Sequence, residues 1–324
     1  MRLTPLLRSL ACALCLSVTG AALAQDYPSR PITIVLPVTA GSSIDSVTRA
    51  IGDVLSKRLG QPVVIDNKPG AAGNVGAASV ARAPADGYTL LVTTSNLAMA
   101  PSLVKSIPWD PRTAFVPISG MFSGAMSVAV GAHVPVTNMA GLIKLAKQDP
   151  GKLNYATPGN GTPHHFGTEL LMSATSTKLL HVPYRGTSPA IVDLIGGRID
   201  VAYFSLGNLL EHHRSNKLKI IATSTDQRLP QLPDVPTLRE LGLKSAEVNV
   251  WAGMFAPAGT PKAVVARLSE EMRFAMQSPQ VRTVMEGQYV VPMTPGTAQH
   301  LAAEYTADLD KWPAIAERVG IKAE

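Results

Sequence analysis

Ile32-Thr-Ile-Val-Leu36 is a short run rich in β-branched side chains, the pattern of a buried strand. From Ser43 to Leu59 the period changes. Ile44, Val47, Ile51, Val54, Leu55 and Leu59 fall at helical spacing, and Gly60 with Pro62 supplies the stop. Between the two lies a loop of small residues, Pro37-Val-Thr-Ala-Gly-Ser42. The first amides of a helix lack internal partners and carry partial positive charge. A strand, a small-residue loop and a helix start therefore make a seat for an anion. The same residues also suit a tight turn with an N-cap, and this stretch alone leaves both readings open.

The alternation of strand and helix patterns continues along the chain. Pro62–Asp66 and Tyr88–Thr94 read as strands, separated by a small-residue helix from about Gly70 to Arg82. Ser95 and Asn96 open a short helix, either as caps or as donors to a ligand. Phe115–Met121, Met126–Val130, Leu153–Thr157, Leu179–Val182, Ile199–Phe204 and Leu218–Thr223 read as further strands, and so does the run around Trp251. Helical spacing marks Asn138–Lys147, Ala190–Ile195, a segment after Thr260-Pro261, and a last helix through Leu301, Tyr305 and Trp312. A second seat follows Thr157. There Pro158-Gly-Asn-Gly161 precedes Thr162, a good N-cap, and Pro163, which suits the first helical position. The fold class expected is α/β, with mixed sheets flanked by helices.

The chain has 324 residues, 46% hydrophobic and 16% charged, enough for a sizeable core in two lobes. Arg2 and Arg8, the apolar stretch from Leu10, and Ala22-Leu-Ala24 read as a signal peptide cut after Ala24. No later stretch is long and apolar enough to span a bilayer. Both cysteines, Cys12 and Cys15, lie in that leader, so a disulfide framework, a thiolate metal site and a cysteine nucleophile are excluded from the mature chain. Export of such a chain fits a bacterial periplasm. The net charge of +6 comes from scattered basic residues, which argues against nucleic acid and favours small anions.

Other polar groups are ambiguous or bland. His164 and His165 are neighbours that cannot face one another on a helix, so no metal site is expected; one of them donates to the ligand or the loop. Arg185, Asp193, Asp200 and His212-His213 read as surface or capping groups. Neither G-x-S-x-G nor H-E-x-x-H occurs, so an exported hydrolase lacks its signature.

In order and spacing, several motifs resemble the Bug-type (Bordetella uptake gene) receptors, the periplasmic solute-binding component of tripartite tricarboxylate transporters. They are Tyr27-Pro-Ser-Arg-Pro-Ile32, Pro37-x-x-Ala-Gly41 with Asp45, Asn67-Lys-Pro-Gly-Ala-Ala-Gly-Asn74, Asp86-Gly-Tyr-Thr-Leu90, Val182-Pro-Tyr-Arg-Gly186, Leu232-Pro-Asp-Val-Pro-Thr237 and Trp251 through Pro261. The resemblance implies a two-lobed Venus-flytrap binding protein of the type with two crossings, not an enzyme. Lobe 1 would be residues 26–124 plus 237–324, and lobe 2 residues 125–236. It also implies capture of a small organic carboxylate and its delivery to membrane permease subunits, by a monomer with no cofactor. A receptor signalling to a membrane kinase is the alternative output. The family grip maps onto residues 38–43 and 157–165. The expected contacts are Val38, Ala40, Gly41, Ser42, Ser43, Asp45, Ser95, Asn96, Thr157, Gly161, Thr162, His165 and Tyr203. Family members often carry an aromatic residue at Val38 and glycine at Ser42, so this cleft would be roomier.

Overall fold

The computed structural model describes residues 27–102, 104 and 106–321. The expected signal peptide, residues 1–24, lies outside them. Eleven strands among the described residues form two mixed sheets. The first has six, in the order β11-β4-β10-β3-β1-β2: β1 (Ile32–Leu36), β2 (Val63–Asn67), β3 (Thr89–Thr94), β4 (Phe115–Gly124), β10 (Val250–Pro257) and β11 (Val290–Pro292). The second has five, in the order β7-β6-β8-β5-β9: β5 (Met126–Gly131), β6 (Asn154–Thr157), β7 (Leu180–Pro183), β8 (Val201–Ser205) and β9 (Leu218–Thr223). The chain leaves the first sheet at Gly124, enters the second at Met126, and returns between Thr223 and Val250.

The helices are α1 (Ser43–Leu59), α2 (Asn74–Ala81), α3 (Asn96–Met99), α4 (Met139–Gln148), α5 (Pro163–Thr175), α6 (Thr187–Ile195), α7 (Leu206–Arg214), α8 (Lys262–Gln277), α9 (Pro279–Gly287) and α10 (Ala298–Val319). Helix α1 follows its sequence signals closely. It ends on Gly60 in the left-handed conformation at φ 66°, which an L side chain rarely adopts. The short strand β11 and helix α9 are additions to the sequence reading.

In the first sheet β1 runs parallel to both β2 and β3, with Ile34 opposite Ile65 and Leu90. In the second, β6 runs parallel to both β7 and β8. The C-terminal ends of each parallel set therefore lie along one edge of its sheet, where α/β folds place ligands. Ile32, Ile34 and Leu36 pack with Val47, Ile51 and Leu55 of α1 and Leu268 of α8 on one face of the first sheet. On the other face Trp251 and Phe255 pack against Tyr305 and Trp312 of α10. This cluster continues into the second sheet, because the Trp312 ring lies 4.9 Å from that of Phe166 on α5.

Candidate functional site

The two edges meet. Ser43 Oγ, in the first turn of α1, lies 3.4 Å from Asn208 Oδ1 in the first turn of α7. A Cβ on Gly207 would come within 2.9 Å of that same hydroxyl oxygen, and one on Gly186, just before α6, would come 2.8 Å from the Thr39 side chain. Three helix starts thus converge, α1 from the first sheet and α6 and α7 from the second. Their caps, Ser42, Gly186 and Ser205, make no side-chain capping bond. The amide ends of these helices keep their partial positive charge for something else.

The β1–α1 loop is braced from within. Gly41 sits at φ 84° and donates its N–H to Asp45 Oδ2 at 3.0 Å. Asp45 is 3% exposed and also accepts from Arg49, at 3.0 and 2.9 Å, and from Asn67 Nδ2 at 3.0 Å. Asn67 reaches on to the Val38 carbonyl at 3.2 Å. Burial alone would raise the Asp45 carboxyl, but the bonds from Arg49, Gly41 and Asn67 hold it below the usual carboxylate range. The carboxylate is thus spent on shaping the loop, and Arg49 offsets its charge. Ala40 and Gly41 are exposed, and Ser42 Oγ is buried with no partner.

Ser95 and Asn96 follow β3 at the same sheet edge. Ser95 Oγ and Asn96 Oδ1 are buried without partners, while Asn96 Nδ2 donates to the Ala72 carbonyl at 3.3 Å. Asn74, at the start of α2, repeats the arrangement: Nδ2 donates to Ala71 O at 2.9 Å and Oδ1 is left over. Buried polar atoms rarely go unmatched in folded proteins, so a cluster of them marks a place for a solute or water.

The β6–α5 loop is more self-contained than the sequence suggested. Thr162 Oγ1 accepts the His165 amide at 3.4 Å and donates to Gly159 O at 2.9 Å, as an N-cap should. Thr157 Oγ1 donates to Gly159 O at 3.1 Å and meets His181 Nε2 at 2.7 Å. The Gly161 N–H donates to His165 Nδ1 at 3.1 Å. His165 is therefore an acceptor for its loop, where a donor was expected. Tyr203 is placed in the core, fully buried against Gly167, with its hydroxyl on the Ala246 carbonyl at 3.0 Å. The structure does not bring it to the meeting edges. Val38 is half-buried beside Asn67. His164 sets its ring edge-on to Phe204, 5.2 Å between centroids, with Nδ1 buried and unpartnered. Burial pushes that imidazole down to about 3, so it is neutral at ordinary pH.

Thr39 falls inside the expected grip at residues 38–43, whereas Asn74, Gly186, Gly207 and Asn208 were not among the expected contacts. Ser205-Leu-Gly-Asn208 repeats the strand-end, small-residue pattern that singled out the other two loops, and that signal could have found it. Among the described residues no three His, Cys, Asp or Glu side chains are grouped to hold a metal ion. None of their helices is long and apolar enough to cross a membrane.

A family model described as the tripartite tricarboxylate transporter family receptor, TctC, matches residues 47–321. The chain belongs to that family. The receptor is similar in structure to the periplasmic binding protein BugD, with a TM-score of 0.87 and 33% identity over 92% of this chain and 100% of that one. It is similar to an R. palustris protein solved with adipate, at TM-score 0.86 and 31% identity over 92% and 100% of the two chains. It also resembles MatC from Rhodopseudomonas palustris with bound malate, at TM-score 0.84 and 29% identity over 89% and 99%. The receptor thus has the two-lobed periplasmic binding-protein fold. Its family is one of periplasmic solute-binding receptors, not of enzymes.

Proposed function

We propose that the receptor captures a small organic carboxylate between its two lobes and delivers it to the permease subunits of a tripartite transporter. Lobe 1 is residues 26–124 plus 237–324 and lobe 2 residues 125–236. The receptor acts as a monomer after its leader is cut behind Ala24. One observation carries the reading: the uncapped starts of α1, α6 and α7 converge from two sheets, through Ser43 with Asn208 and Thr39 with Gly186. Such a convergence of amide ends suits an anion with oxygens to share. The Ser42 and Ser95 hydroxyls stand ready as further donors. The adipate and malate held by two structurally similar proteins support the choice of a carboxylate.

The grip comes from amides and hydroxyls, without an arginine clamp. Arg49, in α1, is already engaged by Asp45 and Asn67. Closing the lobes over the anion removes water from these dipoles and strengthens each contact. The closed shape is then what the permease reads, since a ligand that favours one conformer shifts the population toward it.

A thermal-shift screen tests this. A cleft ligand at a hundredfold excess over its Kd stabilises the fold by about 2.7 kcal/mol. Among adipate, malate, other small mono- and tricarboxylates, and their neutral amides, an acid should give the largest shift and the matching amide none. A neutral compound as the best hit would overturn the reading.

A further inference from the structure

Behind the Gly159–Thr162 loop lies a buried polar cluster that carboxylate capture, as described, does not use. The Tyr155 hydroxyl donates to Glu169 Oε1 at 2.6 Å. His165 Nε2 lies 3.7 Å from the same oxygen. The His165 ring stacks on that of His181 at 4.2 Å, and His181 in turn stacks on Tyr155 at 4.8 Å. His181 Nε2 meets Thr157 Oγ1, so the cluster touches the loop at both ends, through Thr157 and through Gly161. Because His165 Nδ1 accepts the Gly161 N–H, its ring proton sits on Nε2, toward Glu169. A second proton on Nδ1 would set one N–H donor against another.

We propose that His165 is a positioning residue: its neutral imidazole locks the β6–α5 loop in the capture geometry, and protonation of the ring releases that loop. The effect on cargo rests on the carboxylate reading above. The lock itself does not.

Groups from three elements face the ring. Glu169, on the same helix, stays ionised: burial opposes this, but the nearby His165 and the hydrogen bond from Tyr155 outweigh it. His181, facing from β7, is held down to about 4, first by burial and then by His165 beside it. Tyr155, facing from β6, is pushed up by burial and by Glu169, and keeps its proton. His164, next in the chain, turns away onto Phe204. Glu169 Oε1, 3.7 Å from His165 Nε2, is placed to balance a charge on the ring. The lobe-1 loop has the same brace four residues on, Gly41 to Asp45, but built from a carboxylate held ionised by Arg49. A proton on His165 therefore loosens one seat and leaves the other.

The test is an NMR titration of the ligand-free receptor, from about pH 8 to about pH 5, the range in which histidines ordinarily change charge. The His165 ring nitrogens should report the Nε2–H tautomer at the alkaline end, and the Gly161 amide shift should move in step with the ring. His165→Asn places an amide oxygen where Nδ1 stood and cannot take the proton. In that variant the Gly161 amide should stay flat over the same range. A Gly161 amide that ignores the His165 titration in the wild type, or moves equally in His165→Asn, overturns the lock. The wild-type titration decides even if the variant folds poorly. Calorimetry with adipate adds the second arm: affinity should fall on the order of tenfold from pH 8 to 5 in the wild type, about 1.4 kcal/mol, and less than twofold in His165→Asn. A working lock with adipate binding that ignores pH would count against the loop's part in capture, not against the lock.

Discussion

The hydroxyl of Ser43, opening α1, faces Oδ1 of Asn208, opening α7, across 3.4 Å and across the seam between the two sheets. No room is left beside that contact. A Cβ at Gly207 would lie 2.4 Å from the Gln288 carbonyl oxygen. Gly207 is in helix α7, where alanine is the better helix former, so Gly207→Ala should leave lobe 2 folded. It should instead prop the lobes apart. Cargo affinity is expected to fall on the order of tenfold or more, about 1.4 kcal/mol for each tenfold. Small-angle scattering with cargo present should show a larger radius of gyration than the wild type. Normal affinity with a compact profile would contradict the seam.

Asp45 is expected to act on loop shape before it acts on charge. Asp45→Ala removes the acceptor of the Gly41 N–H, the Asn67 amide and the Arg49 guanidinium; water reaches Gly41 and Arg49, so the cost should be about 0.5–1.5 kcal/mol for each bond lost. Asp45→Asn should be milder. The folded carboxyl titrates below its unfolded value, so its stabilisation is complete above the ordinary carboxylate range. It is lost as pH falls through the lower folded value. The gap in melting temperature between wild type and Asp45→Asn should therefore narrow in strong acid. A gap that is the same at every pH would mean that Asp45 carries no charge-dependent part.

Asp308 should show the opposite sign. It lies buried in α10 and accepts from the Trp251 indole at 2.8 Å. Burial raises its carboxyl, and the indole offsets only part of that. The folded form then binds its proton more tightly than the unfolded chain does. Stability should fall as pH rises from the ordinary carboxylate value through the raised folded one, and stay lower above it. Asp308→Asn keeps an acceptor for Trp251 and removes the titration. In urea, its midpoint should match or exceed the wild type near neutrality and lose this acid-side slope.

The parts that local pattern controls were legible in the chain. The period change from Ile32–Leu36 to Ser43–Leu59, the stop at Gly60 and the Thr162-Pro163 helix start each depend on neighbours within a few residues. The fold class followed from that alternation together with the family motifs. Strand β11 was not legible, because three residues show no period. Helix α9 was missed although Ser278-Pro279 supplies a cap and a first-turn proline. The site was half legible. Loop position could be read from strand ends, but what faces each loop could not. Gly186 and Gly207 are small because of Thr39 and Ser43 across the seam, and no local signal records that. Likewise His165 as acceptor, and Tyr203 in the core, depend on partners at Gly161 and Ala246.

Trp312 joins the two sheets through Phe166, at 4.9 Å between rings, and is buried on α10. Trp312→Ala should cost about 3–5 kcal/mol, as large-to-small changes of buried aromatics do. Chemical denaturation measures it. A loss under about 1 kcal/mol would show that α10 does not tie the second sheet to the first.

The most direct measurement is a crystal structure of the receptor holding the best acid from the thermal-shift screen. An acid group should lie within hydrogen-bond distance of the first-turn amides of α1 and of Ser42 Oγ, with the rest of the molecule reaching toward the starts of α6 and α7. An acid bound away from that seam, or one that turns an uncharged end toward α1, would contradict the account.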